Sequence, residues 1–313
     1  MNIGKIIYYT HSSKTKCVFV DNKDLPLICI DIWCKAGSSF EDKEKKGTAH
    51  FLEHMIFKGS NKIMPGEFDQ KIESLGGISN ASTGYDDAHY YVLIPPNNFS
   101  ESLALLTNIV LTPKISINEF NIEKSVVIDE IKQQNDQPDE KLFNYFLNRV
   151  WLSDNYGNSI LGTEKNILSL NKSDLETFHQ KRYTSENICI AIAGNITNEI
   201  YNSFKQSNIK YFEHRKANLI PYKEKKSSVI LRTGREEITF ENIEFSRIYM
   251  AWGIPSQKNQ KITTGFEILA SLMSVGRKSR LVESLKEEKN LVESIYADIN
   301  VGELGGLFII EAC

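Results

Sequence analysis

The sequence has no run of apolar residues long enough to cross a bilayer, and its positive charges are not gathered on one stretch. A membrane-spanning helix needs about 20 mostly apolar residues, so no membrane segment is expected. The 313 residues carry a formal net charge of −3, with lysines spread among acidic residues. A nucleic-acid surface is normally basic, so nucleic-acid binding is not expected either.

Cysteine is scarce and shows no disulfide or metal-binding spacing. The five cysteines are odd in number, lack C-x-x-C spacing and lie mostly in apolar runs, which favours free thiols in a reducing compartment. Residues 1–15 also lack the apolar core and cleavage site of a secretory signal. We therefore expect a cytoplasmic protein.

The sequence does contain a mixture of helical and strand patterns. Residues 17–36 predict two strands, residues 48–58 a helix, and residues 78–95 a hairpin with its turn near Gly84. A similar order of strand, loop, helix and hairpin returns in residues 247–311, which indicates a second copy of the unit. We predict an α+β fold of two homologous mixed α/β domains, each a sheet packed with helices, the second incomplete.

One polar stretch divides these two patterns. Residues 215–228 are rich in lysine and contain Pro221, which is typical of a linker. The prediction is therefore an N-terminal domain at 1–214 and a partial second domain at 229–313. If the two domains are equal in size, roughly a hundred residues of the second are missing.

The strongest chemical signal is the run His50-Phe51-Leu52-Glu53-His54 in the first predicted helix. Side chains four residues apart lie on one helix face, so both imidazoles can reach one metal ion. Zn²⁺ accepts neutral histidine nitrogens, and Glu53 lies beside the pair without having to ligate the ion. The alternative is an amphipathic helix with two histidines by chance, which is less favoured because the whole chain has only six.

A catalytic zinc ion normally has three protein ligands, so this site needs one more. A downstream predicted helix offers the carboxylates of Glu123, Asp129 and Glu130. Glu123 and Glu130 are two turns apart and share a face, so one can ligate while the other supports the site. Asp129 competes for the ligand role, but it lies about 100° around the helix from Glu130.

These motifs resemble the pitrilysin-like (M16) metallopeptidases, the family of insulin-degrading enzymes and mitochondrial processing peptidase. The resemblance rests on G-x-x-H-F-L-E-H-M-x-F-K-G at residues 47–59 and on E-x-x-V-V-x-x-E-I at residues 123–131. It implies one zinc ion per chain, three ligands, one supporting carboxylate and one general base. The three ligands implied are His50, His54 and Glu130. The supporting carboxylate is Glu123, and the general base is Glu53.

The resemblance also implies a reaction, the hydrolysis of a peptide bond in a peptide or an unfolded polypeptide. Glu53 would take the proton of a zinc-bound water and return it to the leaving amine. The residues at the start of the predicted hairpin look like the family's substrate-binding edge strand. A peptide binds to such a strand by main-chain hydrogen bonds and so extends the sheet. The residues implied are Gly77, Asn80, Ala81, Ser82 and Thr83. For Gly77, a helix stop followed by a turn is an equally good interpretation.

One stretch departs from the family pattern. Active relatives carry an Arg and, seven residues later, a Tyr that reach the bound peptide, where this sequence has Lys286 and Glu293, with Tyr296 nearby. A glutamate cannot supply the phenol donor. We therefore expect a homodimer or heterodimer with a homologous subunit. The alternative function is a non-catalytic interaction or structural subunit of a heterodimeric M16-type assembly.

Overall fold

A computed structural model describes residues 4–152, 156–207, 209, 230–240, 243 and 245–313. The chain forms two compact units: unit 1 consists of Met1–Ile131 and Ser159–Lys223, and unit 2 of Lys132–Asn158 and Glu224–Cys313. The linker predicted at 215–228 lies outside the described residues, and the predicted domain bounds stay a prediction. In the part of the chain that is described, no helix combines the length and apolarity that crossing a membrane requires.

A six-stranded mixed sheet forms the centre of unit 1. Its strands are β1 (Lys5–Thr10), β2 (Lys16–Asp21), β3 (Ile28–Cys34), β4 (Ile78–Thr83), β5 (Ala88–Ile94) and β6 (Ile188–Gly194). Their order is β1-β2-β6-β3-β5-β4, with β2 and β6 parallel and the other pairs antiparallel. On β3, Ile28, Ile30 and Ile32 are fully buried, because alternate residues of a strand point to the same face.

Three further strands belong to unit 2, and nine α-helices are described in all. The strands are β7 (Ile248–Ile254), β8 (Ile295–Val301) and β9 (Gly306–Ala312), in the antiparallel order β7-β9-β8. The helices are α1 (Thr48–Ile56), α2 (Glu67–Ser74), α3 (Phe99–Leu111), α4 (Ile117–Asp136), α5 (Pro138–Val150), α6 (Glu164–Ser169), α7 (Lys172–Arg182), α8 (Asn198–Gln206) and α9 (Gln260–Ser274).

The helices cover one face of each sheet. In unit 1, α1 packs against α7 and β4, and its Phe51, Leu52 and Met55 are fully buried in the core. In unit 2, α9 packs against β8, and a smaller core includes Ile295 and Phe308. Each core is therefore built from one sheet face and the apolar sides of the helices on it.

The predicted mixed α/β architecture is confirmed. The strands and helices predicted from residues 17–36, 48–58 and 78–95 are all present. The two strands of residues 17–36 are not neighbours, however, because β6 lies between β2 and β3. Strand β1 and helix α8 were not predicted, although β1 is rich in isoleucine and tyrosine and α8 buries Ile200 and Phe204, four residues apart on one face.

Candidate metal centre

Helix α1 carries the two histidines of the H-x-x-E-H run. It begins after Gly47, whose φ of +87° suits glycine, and its apolar side holds it against the core. His50 and His54 lie together on the other side, with ring centroids 4.6 Å apart. His50 is buried and the side chain of His54 is 22% exposed, so the two rings line a recess and not a solvated surface.

Helix α4 brings a carboxylate to the same point. The Oε2 atom of Glu130 lies 3.7 Å from Nε2 of His50 and 3.4 Å from Nε2 of His54. Possible ligand atoms of the three residues all lie within 4.8 Å of one another. Within the described residues this is the one group of three His, Cys, Asp or Glu side chains that is close enough to hold a metal ion.

The orientation of α4 explains why Glu130 faces the histidines. Val127 and Ile131 are buried and fix the inner side of the helix, and Glu123 lies two turns before Glu130 on the same side as the site. Asp129, the competing carboxylate, is exposed. Val126, which is apolar and adjacent to Val127 in sequence, is 46% exposed and takes no part in this packing.

Glu123 lies behind His54 as a supporting carboxylate would. Its Oε1 atom is 2.9 Å from Nδ1 of His54, and its Oε2 atom is 2.7 Å from Nζ of Lys58. An ionised carboxylate can only accept hydrogen bonds, so Nδ1 of His54 carries the proton. In the neutral ring, the lone pair on Nε2 is then able to bind a metal ion on the side of Glu130.

The two histidines have opposite pKa shifts. Burial, and then the neighbouring His54, lower the pKa of His50 to about 4. Burial also acts to lower the pKa of His54, but the hydrogen bonds that His54 donates to Glu123 and Glu130 outweigh it and raise that pKa to about 9. The contact with His54 lowers the pKa of Glu130. Without a metal ion at pH 7, His54 is therefore a cation, with one ring N–H facing Glu123 and the other facing Glu130.

Zinc binding is expected to strengthen about tenfold per pH unit between about pH 5 and about pH 8. His50 and Glu130 have already lost their protons in this range, whereas the ion has to displace one proton from His54. Calorimetric titrations of the metal-free protein in buffers of different ionisation enthalpy should give about one proton released per ion. Glu123→Gln should reduce this release at pH 7, because it lowers the pKa of His54. An affinity independent of pH over the same range would contradict the prediction.

Glu53 lies next to the histidines and bonds to the edge of the sheet. Its carboxylate accepts a hydrogen bond from the hydroxyl of Thr83, the last residue of β4. Burial raises the pKa of Glu53, and the hydrogen bond from Thr83 works against that rise. A carboxylate whose pKa is raised toward neutrality is better matched to proton transfer at pH 7 than an exposed one.

Strand β4 is the last strand of the sheet, and within the described residues it pairs only with β5. Ala81 and Thr83 are half-buried on the side of α1, whereas Asn80 and Ser82 are exposed on the opposite face. Gly77 lies immediately before β4, and a side chain at this position would collide with Ile94 of β5. Strand β4 thus provides the expected open edge. Close packing against Ile94 is a separate reason for a glycine at position 77.

Two residues near the site had not been singled out from the sequence. Lys58 belongs to the quoted motif but had no assigned role. Glu41 is buried, and its carboxylate accepts hydrogen bonds from the backbone N–H groups of Gly47 at 3.1 Å and Ala49 at 2.7 Å. Burial raises the pKa of Glu41 to about 7. Glu41 therefore anchors the start of α1, and nothing in its charged loop distinguished it from solvated neighbours.

The donor set fits zinc. Two imidazole nitrogens and one carboxylate oxygen are the protein ligands of one common class of catalytic zinc site, which leaves a position open for water or substrate. The nearby charges agree with this. With their carboxylates ionised, Glu53, Glu123 and Glu130 outnumber Lys58 by two charges, which a divalent cation would balance.

Comparison with known proteins gives two family matches. "Insulinase (Peptidase family M16)" matches residues 18–164, and "Peptidase M16 inactive domain" matches residues 169–313. A Rickettsia bellii protein named "Uncharacterized zinc protease" is 28% identical over 269 residues, 86% of this chain and 63% of that protein. An Arabidopsis thaliana protein named "Probable mitochondrial-processing peptidase subunit beta" is 33% identical over 170 residues, 54% of this chain and 32% of that protein.

A solved structure is similar over nearly the whole chain. The crystal structure of a protease from Helicobacter pylori matches with a TM-score of 0.86 and 25% identity, covering 99% of this chain and 75% of that one. The chain spans about two thirds of the length of the zinc protease relatives that it matches, 63% of one and 64% of another.

Proposed function

Because the chain belongs to peptidase family M16, the insulinase family, we propose that it is a zinc-dependent endopeptidase that hydrolyses peptides or unfolded protein segments. The observation that carries the proposal is the convergence of His50, His54 and Glu130 on one point, with Glu53 beside it. Relatives named zinc proteases support the choice of metal and of reaction.

Each polar side chain has a role in this proposal. His50, His54 and Glu130 hold the zinc ion, and Glu123 orients His54. Zinc, when bound, supplies a Lewis acid that makes water more acidic and a peptide carbonyl more electrophilic. Glu53 is the general base that takes the proton from the attacking water and returns it to the leaving amine.

The substrate is proposed to lie along β4. An extended peptide would add as a strand by main-chain hydrogen bonds to the open edge, which Gly77, Asn80, Ala81, Ser82 and Thr83 form. The hydrogen bond from Thr83 to Glu53 supports this placement, because it joins the end of that edge directly to the base. Main-chain recognition of this kind favours unfolded segments over folded proteins.

Removing zinc is expected to abolish hydrolysis of an unstructured peptide, and added zinc is expected to restore it. The measurement is peptide cleavage by the protein, together with any partner subunit that its activity requires. It is made before chelation, after exhaustive chelation and after zinc is returned. Zinc content is measured on the same samples by atomic absorption. Full hydrolysis by metal-free protein would overturn the proposed function.

A second candidate function, a non-catalytic interaction or structural subunit of a heterodimeric M16-type assembly, has support of its own. The relative from Arabidopsis is named as a subunit, and the family resemblance implies that Lys286 and Glu293 stand where active relatives have Arg and Tyr. Both side chains are exposed, as is Tyr296, which is 61% exposed. The ammonium of Lys286 still offers a positive charge, but the carboxylate of Glu293 cannot replace a phenol as a donor to a substrate.

The chain alone is expected to hydrolyse peptides poorly and to gain activity when a homologous partner is present. The same zinc-loaded preparation should be assayed with an unstructured peptide, alone and together with a co-expressed homologue that lacks H-x-x-E-H. Because the partner has no metal motif, any gain must come from residues that complete the substrate site. Full turnover by the chain alone, unchanged by the partner, would show that the partner is not needed.

A further inference from the structure

Lys58 extends the row of side chains that the two histidines begin. His50, His54 and Lys58 follow one another at intervals of four residues, which is the spacing of one helix face. Helix α1 ends at Ile56, but the backbone N–H of Lys58 still donates to the carbonyl of Met55 at 3.1 Å. The backbone therefore keeps a helical turn as far as Lys58, which places its side chain on the same side as the site.

Lys58 and His54 occupy both oxygens of one buried carboxylate. Nζ of Lys58 is 2.7 Å from Oε2 of Glu123, and Nδ1 of His54 is 2.9 Å from Oε1. The side chain of Glu123 is only 6% exposed, whereas that of Lys58 is 32% exposed. With one donor on each oxygen, the carboxylate cannot rotate without breaking a charge-assisted hydrogen bond.

An ordinary surface ion pair is the alternative interpretation of Lys58, and burial argues against it. Lys71 and Glu67 show what such a pair looks like: their atoms are 2.8 Å apart, but their side chains are 43% and 32% exposed. Exposed pairs of this kind contribute little to stability, because solvent screens their charges. Losing Lys58 would instead leave one oxygen of the buried Glu123 without its cation, which is far less favourable than losing a solvated partner.

We propose that Lys58 is a positioning residue of the metal centre, which holds Glu123 so that His54 keeps its proton on Nδ1 and turns Nε2 toward the ion. This inference rests on the proposed function and adds a residue to it. Lys58 also offsets the charge of the buried Glu123. The effect on the metal is indirect, because Lys58 contacts Glu123, and Glu123 in turn contacts the ligand His54.

The test is zinc affinity, measured by competition with a chelator on purified full chain. Lys58→Met keeps the aliphatic stem and removes the ammonium, and it is expected to weaken zinc binding about 10–100-fold, the usual effect of losing a group that supports a ligand. Lys58→Arg should restore affinity to within a few-fold of the native chain. Lys71→Met is the matched control, because it removes a lysine from an exposed ion pair away from the site, and it should leave affinity unchanged.

A double-mutant cycle tests the route through Glu123. In a Glu123→Gln background, Lys58→Met should have little further effect, because the carboxylate that it holds is already absent. If Lys58→Met does not fold, as judged by circular dichroism, Lys58→Gln is measured by the same criteria. Native-like affinity of the Lys58 variant, or equal losses in both backgrounds, would overturn the inference while leaving the proposed zinc site intact. Failure of the native chain to bind zinc would instead overturn the proposed function, and this inference with it.

Discussion

Glu53→Gln is expected to lower peptide turnover by about 10²–10⁴-fold while the zinc content stays unchanged. The amide has nearly the same shape as the carboxylate and can still accept the hydrogen bond from Thr83. It cannot accept the proton of the attacking water, so only the base function is lost. The loss should appear in kcat, with KM little changed, because a peptide along β4 does not depend on the charge of Glu53.

The controls for Glu53→Gln distinguish a general base from a metal ligand. Zinc content and thermal unfolding should match those of the native chain, and His50→Ala provides the reference for a lost ligand. Thr83→Val removes the donor to Glu53 and should reduce turnover much less than Glu53→Gln. If Glu53→Gln lost as much zinc as His50→Ala does, Glu53 would be a ligand, and the roles of the site residues would have to be exchanged.

Glu130→Gln is expected to weaken zinc binding by roughly 100-fold or more. Groups that merely support a ligand are worth about 10–100-fold in affinity, and a carboxylate that contacts the ion directly should be worth at least the upper end of that range. Glu130 is the acid whose Oε2 atom faces Nε2 of both His50 and His54. The measurement is a chelator competition on metal-free protein at a fixed pH.

Asp129→Asn is the matched control for that measurement. It makes the same change of charge one residue earlier on α4, but Asp129 is exposed and does not belong to the group of possible ligands. Its zinc affinity should equal that of the native chain. A loss with Asp129→Asn comparable to that with Glu130→Gln would mean that the net charge of the helix, and not a ligand at position 130, sets the affinity.

Local spacing made the main parts of the site predictable from the sequence. His50 and His54 are four residues apart, and Glu123 and Glu130 are seven apart, so a regular helix places each pair on one face. Helical geometry depends only on residues that are close in sequence. The same argument separated Glu130 from Asp129, and the structure places Glu130 toward the histidines and leaves Asp129 exposed.

Contacts between distant segments could not be predicted in this way. The position of β6 between β2 and β3 joins residues about 170 apart in sequence, and no pattern within either segment indicates it. Glu41 lies in a run of charges that is typical of a solvated loop, and only its burial against the start of α1 distinguishes it. The role of Lys58 depends likewise on Glu123, which lies on a different helix.

The open edge of β4 also carries a liability unrelated to catalysis. A row of unpaired backbone groups can bind a strand of another copy as readily as a substrate, which is a common start of aggregation. Strand β4 consists mostly of small polar residues, with Ile78, 60% exposed, as its one large apolar side chain. Amyloid-forming segments need interlocking side chains in addition to backbone bonds, and this strand offers few. Its composition therefore favours brief pairing, so that the edge can remain exposed without seeding fibres.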